Sequence, residues 1–179
     1  SALMTYLVAD GLFPADPAER KALETLDPFA LRARALDDAL PLPHLGRALW
    51  HLNQRRGFKS NRKTDKTDDD SGKIKVAIGR LRERIAEDEA AAGAEPDSWT
   101  FGKWLHHRRQ PSEEHPDGRS VRTRLRPEQG EDAKGTGYDF YPDRALIEEE
   151  FEAIWAAQVP HHPDVLTPEV HDRLHEIIF

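Results

Sequence analysis

Three times the chain sets a short polar residue directly before a proline: Asp16-Pro17, Asp27-Pro28 and Thr167-Pro168. An aspartate or threonine oxygen accepts from the first free amides of a helix, and proline in the first helical position has no amide to leave unpaired. Each pair therefore starts a helix, and Glu19 in the third helical position reinforces the first. Apolar residues then recur with helical period. Phe29, Ala33, Leu36 and Leu40 form one set, Ile74, Ile78, Leu81 and Ile85 another. Ile147, Phe151, Ile154 and Trp155 follow, then Val170, Leu174, Ile177 and Ile178. Leu3 to Leu12 reads as a short helix ended near Gly11 and Pro14, and Ser98 stands where it could cap a helix bearing Phe101, Trp104 and Leu105. About seven helical patterns face at most one short strand, Val121-Thr123-Leu125, so the predicted fold class is all-α, an irregular multi-helix domain with long polar loops.

One helix differs from the others. Leu45, Ala48, Leu49 and Leu52 make a single apolar stripe, while Arg47, His51, Gln54 and Arg55 make a separate polar face. Gly57 stands where a C-terminal capping glycine belongs. Seven lysines or arginines lie between Arg47 and Lys66 against one acid, Asp65. That density exceeds what a helix end needs and suits a polyanion, most naturally a nucleic-acid backbone. Guanidinium groups grip phosphate with two parallel hydrogen bonds, and lysines add point charge. Arg55, Arg56, Lys59, Arg62 and Lys63 are the candidate ligands, with Ser60 in the turn and Arg47 and His51 flanking. Phe58 and Trp50 read as core or anchor residues ahead of base-stacking ones. Arg119, Arg122, Arg124 and Arg126 form a second basic cluster. The alternative is a solvated cationic helix end.

With 179 residues the chain can hold one ordinary domain, or two small ones, and bury a real core. Charged residues are 33% and mean hydropathy is −0.76, and no apolar run approaches the roughly 20 residues of a membrane span. No secretory signal pattern opens it, so the expected compartment is the cytoplasm. The absence of cysteine excludes disulfides, thiolate metal sites and a cysteine nucleophile. Residues 128–179 hold 13 acids and 3 bases, which leaves residues 1–127 at +3 within a total of −7. A basic half beside an acidic half fits contact with a polyanion on one side. Residues 60–73 are too polar to bury surface and are expected to form a mobile loop. Residues 110–138, rich in proline, glycine and charge, are expected to be irregular. Leu3 begins an apolar pattern with no cap before it and Phe179 closes the chain inside another, as in a domain excised from a larger polypeptide.

Catalytic constellations are weak. His171 and His175 share one helix face at the spacing of a zinc-binding helix, but Asp172 stands where the metalloprotease pattern needs glutamate. His161 and His162 could add ligands. Two exposed histidines on a polar face are the preferred reading, and no metal is assigned. Asp68-Asp69-Asp70 lacks the spacing and glycine of a calcium loop. Gly135-Thr136-Gly137 lacks the rest of a phosphate-cradling fingerprint, and no serine lies in an elbow motif. No residue is assigned as catalytic.

Four stretches together resemble a known family. Asp27 to Asp37 (DPFALRARALD) and Gly46 to Lys63 (GRALWHLNQRRGFKSNRK) are similar to the recognition lobe of type II CRISPR RNA-guided DNA endonucleases, in particular the compact subtype C. Thr100 to Leu105 and Asp143 to Gln158 match later helices in the family's order. The resemblance implies a single recognition-lobe domain over 1–179, non-catalytic in itself and without cofactor, set within a nuclease that uses magnesium. The implied partners are guide RNA (its repeat–antirepeat duplex), the RNA–DNA heteroduplex, the rest of the nuclease and phage-encoded inhibitor proteins. In such effectors the protein reads backbone and A-form shape while base pairing reads sequence. Two further readings stand beside it: a metal-dependent hydrolase using His171 and His175, and a helical protein-interaction module working through the acidic half.

Overall fold

The computed structural model describes the backbone of residues 2–57, 68–114, 116 and 144–179; within its helices the side chains of 54–57, 68–78, 80, 144 and 145 are left out. Among the described residues the chain is all-α, with eight α-helices, one short 3-10 turn and no strand. Helix α1 (Ala2–Ala9) ends in a glycine cap. Gly11 takes φ +78, its amide bonds to the Val8 carbonyl, and the Leu12 amide reaches back to Leu7 at 2.8 Å. This double closure needs a left-handed residue, which glycine adopts at no steric cost. Helices α2 (Pro17–Leu23) and α3 (Pro28–Arg34) start as their Asp-Pro pairs predict. Asp16 accepts from the Ala18 amide at 3.1 Å and Asp27 from the Phe29 amide at 3.0 Å. Helix α4 (Leu42–Gly57) is followed by α5 (Asp68–Ala91), α6 (Phe101–Arg109), α7 (Arg144–Gln158), the 3-10 turn Val159–His161 and α8 (Pro168–Ile178).

Three boundaries differ from expectation. The third helix stops at Arg34 instead of continuing to Leu40. Buried Gln158 captures the connection: its Nε2 donates to the Ala35 and Asp38 carbonyls and its Oε1 accepts from the Leu40 amide at 3.0 Å. A side-chain amide from a distant helix thus satisfies backbone groups that a longer helix would have paired internally. Helix α6 is capped by Thr100, whose hydroxyl accepts from the Lys103 amide at 3.2 Å, while Ser98 donates to the Glu95 carbonyl. Helix α5 begins at Asp68, so residues 68–73 are helical rather than loop, three aspartates occupying the positive end of the helix dipole. The proposed strand at Val121 to Leu125 lies outside the described residues.

Two apolar clusters make up the interior. The larger joins Leu3 and Leu7 of α1, Leu45, Leu49 and Leu52 of α4, Ile147, Phe151, Ile154 and Trp155 of α7, and Val170, Leu174 and Ile178 of α8. The leucine stripe of α4 and the apolar face of α7 are buried as their periodicity predicts. Each buried leucine contributes about 1.5–3 kcal/mol by area removed from water. The smaller cluster joins Phe29 of α3, Leu81 and Ile85 of α5, Phe101, Trp104 and Leu105 of α6, and Leu146 of α7. Asp88 ties α5 to α6, accepting from Trp104 Nε1 at 2.8 Å and Arg108 Nη1 at 3.1 Å. Helix α4 is pressed close to the turn after α1: a Cβ on Gly46 would lie 1.9 Å from the Leu12 carbonyl oxygen.

Candidate nucleic-acid interface

The basic stretch issues from the end of α4, whose apolar stripe is sunk in the larger core. Arg47 and His51, read from the sequence as flanking contacts on a polar face, are both interior. Arg47 is 8% exposed, with its guanidinium carbon 5.3 Å from the centre of the Trp50 ring. Burial pushes its pKa below the ordinary arginine value, and Glu24 and Asp27 pull in the opposite direction. Its Nε has no hydrogen-bond partner among the described residues. His51 is 3% exposed and stands edge-on to the Phe29 ring at 4.5 Å. Helical periodicity separates faces but does not say what covers the second one; here α3 and its Asp27 cap cover it.

Arg55 and Arg56 belong to the last turns of α4, and their side chains lie outside the described residues. So do Lys59, Ser60, Arg62 and Lys63, and the second cluster Arg119, Arg122, Arg124 and Arg126. Helix α6 adds cations at its C-terminal end, the end that favours positive charge. The arginines there are already paired, Arg108 with Asp88 and Arg109 with Asp27 at 3.6 Å, and Lys103 in the first turn pairs with Asp37 at 3.1 Å.

The histidine pair of α8 faces α7 in antiparallel register. His171 Nε2 is 2.9 Å from Glu152 Oε1, and His175 Nε2 is 2.8 Å from Glu148 Oε1. The rings stack with centres 5.8 Å apart on a floor that includes Phe151. Each imidazole thus has a carboxylate partner of its own. Both side chains are partly covered, 23% and 29% exposed, rather than free on a polar face. Among the described residues no group of three or more ligating side chains could hold a metal ion. Nor is any helix among them long and apolar enough to cross a membrane.

Sequence reasoning missed Arg32 and Glu150, which form a buried ion pair and lie wholly out of solvent. In sequence Arg32 is one of several arginines and Glu150 the last of three consecutive glutamates. The usable signal was positional: Arg32 lies three residues after apolar Phe29, and Glu150 three after Ile147 and four before Ile154, on the faces those residues bury. Compared with models of known protein families and with curated proteins, the chain matches none.

Proposed function

We propose that this chain is the guide-RNA-binding recognition domain of a type II CRISPR RNA-guided DNA endonuclease, holding the repeat–antirepeat duplex and the backbone of the guide heteroduplex. The single observation carrying this reading is the concentration of cations that leaves α4 at Gly57, on a helix whose other faces are committed to the interior. Like charges crowded within a few residues repel one another, and a phosphate backbone relieves that repulsion. Arg55, Arg56, Lys59, Ser60, Arg62 and Lys63 are the proposed contacts, with Arg119, Arg122, Arg124 and Arg126 as a second set. Arg47 and His51 take a different part from the one their sequence position suggests: buried, they hold the helix instead of the phosphate. The chemistry offered is backbone reading, since arginine and lysine dominate and few side chains suit base edges.

The test is the double substitution Arg55→Ala/Arg62→Ala, assayed with a fluorescein-labelled RNA hairpin over a salt series. The melting temperature should stay nearly constant while affinity falls. The slope of log K against log salt should flatten by roughly 0.7 to 1 unit per lost phosphate contact. Wild-type affinity and slope in the variant would reduce the cluster to a solvated helix end. RNA contacts would then have to be sought at Arg119 to Arg126, or the acidic surface of α7 and α8, where Glu149 and Asp172 stand exposed, would become the working face.

A further inference from the structure

Four helices meet at one buried point. Arg32 of α3 directs its fork at Glu150 of α7: Nε donates to Oε1 at 2.8 Å and Nη2 to Oε2. Its remaining nitrogen, Nη1, lies 2.9 Å from Nδ1 of His51 on α4. A guanidinium has donors only, so His51 Nδ1 must accept and the ring proton sits on Nε2. The Phe29 ring is shared, 5.6 Å from the Arg32 guanidinium carbon and 4.5 Å from the centre of the imidazole. Helix α6 closes over the pair through Gly102, where a Cβ would lie 2.1 Å from Glu150 Oε1 and 3.2 Å from Arg32 Cβ.

A buried ion pair is a poor source of stability. Apolar residues of similar volume are often as good or better, and the best-attested use of such a pair is to fix register. Apolar contacts like those of Leu45, Leu49 and Leu52 are non-directional and specify an angle less sharply than a hydrogen bond does. A bidentate fork with a third directed bond does not, because each bond has a narrow angular range. His51 lies one helical turn before Arg55, so the bond that sets the rotation of α4 at His51 also sets the direction in which the basic stretch departs. The network moreover takes one member from each stretch that carries the family resemblance: Arg32 from 27–37, His51 from 46–63, Gly102 from 100–105 and Glu150 from 143–158.

We infer that Arg32, His51 and Glu150, packed under Gly102, are positioning residues that lock the rotation and register of α4 and so aim the basic stretch. None of them touches RNA; they act through α4. The aiming part rests on the proposed RNA-binding function, and the locking part does not.

The experiment uses the whole 179-residue chain and two readouts. The first is hydrogen exchange of the α4 amides with α8 as internal reference; the second is affinity for the labelled RNA hairpin. Arg32→Met/Glu150→Leu replaces both ionic partners together. His51→Leu removes the acceptor, and His51→Asn restores one near the Nδ1 position. In the double variant and in His51→Leu, α4 exchange should rise about tenfold with α8 unchanged, and hairpin affinity should fall about tenfold. His51→Asn should stay close to wild type in both readouts, a rescue that simple core filling does not produce. Unchanged α4 exchange in the double variant overturns the inference, as does His51→Asn behaving like His51→Leu. Should the double variant lose its helical signal, the two His51 variants decide the matter. A wild-type chain that ignores the hairpin sinks the RNA-binding proposal alone, and exchange then rules on locking.

Discussion

Substituting Gly46 by alanine pits helix propensity against packing, and the sign of the result is diagnostic. In the middle of α4 an alanine should stabilise by about 1 kcal/mol relative to glycine. The new Cβ, however, would stand 1.9 Å from the Leu12 carbonyl oxygen, 2.9 Å from its carbon and 2.6 Å from Phe13 Cδ2. The obstructing oxygen is backbone and cannot swing aside. Its own segment is pinned by amide bonds from Leu12 and Phe13 to the Leu7 carbonyl, at 2.8 and 3.1 Å. Overpacking of this kind costs about 3 kcal/mol, the upper end of the usual range, because backbone must move. The net is a loss of about 2 kcal/mol, or about 4–8 °C in melting temperature for a chain of this size. Gly79 provides the control. It is an exposed glycine in α5 where an added Cβ meets nothing within 4 Å, so Gly79→Ala should gain about 0.5–1 kcal/mol. Thermal and urea unfolding followed by helical circular dichroism reads both. A Gly46→Ala chain melting at or above wild type would refute the close approach of α4 to the turn after α1.

Three other outcomes follow from named contacts. Gln158→Ala leaves the Leu40 amide and the carbonyls of Ala35 and Asp38 without their partner; about 2–3 kcal/mol should be lost, seen as a lower urea midpoint at constant m. Trp104→Phe removes the indole donor from Asp88 and some core volume, and equilibrium unfolding should register a loss of about 2 kcal/mol. At His171 burial alone would lower the pKa, but hydrogen bonds with Asp172 and Glu152 outweigh it and hold the value above the ordinary 6.5. The folded chain therefore binds this proton more readily than the unfolded one. The resulting stability is full below about pH 6.5 and is lost as pH rises through the folded value. Melting curves across that window should show this slope for wild type and a flatter one for His171→Gln.

What could be read in the sequence was what local chemistry decides. Asp16, Asp27 and Thr167 each cap the helix their following proline opens, because cap and helix are neighbours in the chain. The Leu45–Leu49–Leu52 stripe is buried because period alone assigns it a face. Hidden from it were decisions made over long separations. Ser98 and Thr100 are equally able caps in sequence, and the difference is made where the α5–α6 connection is held: the Trp99 amide donates to buried Glu89. The end of α3 was misread because its terminator, Gln158, lies more than a hundred residues away. His51 and Arg47 look like surface residues on a polar face until α3 covers them. Arg32 and Glu150 illustrate the limit most clearly, since a buried charge and a solvated one are the same letter.

Leu146 and Ile147 are adjacent in α7 yet belong to different apolar clusters, Leu146 with α3, α5 and α6 and Ile147 with α1, α4 and α8. Helix α7 is therefore one seam between two apolar clusters, and the contact of α3 with α4, where Phe29 and Arg32 meet His51, is the other. The α5–α6 hairpin, closed at its tip by Gly93 with φ +73, draws its burial mainly from the smaller unit. Its free energy of opening is then set by fewer apolar side chains than that of the α1–α4–α8 unit, so it should open sub-globally while the larger unit stays intact. Among the described residues, limited proteolysis under native conditions would cut first in the exposed connection near Glu95 to Ser98. The chain would thus unfold as two bodies, and a ligand bound to one could stiffen the other through α7 and through the buried Arg32–His51–Glu150 network.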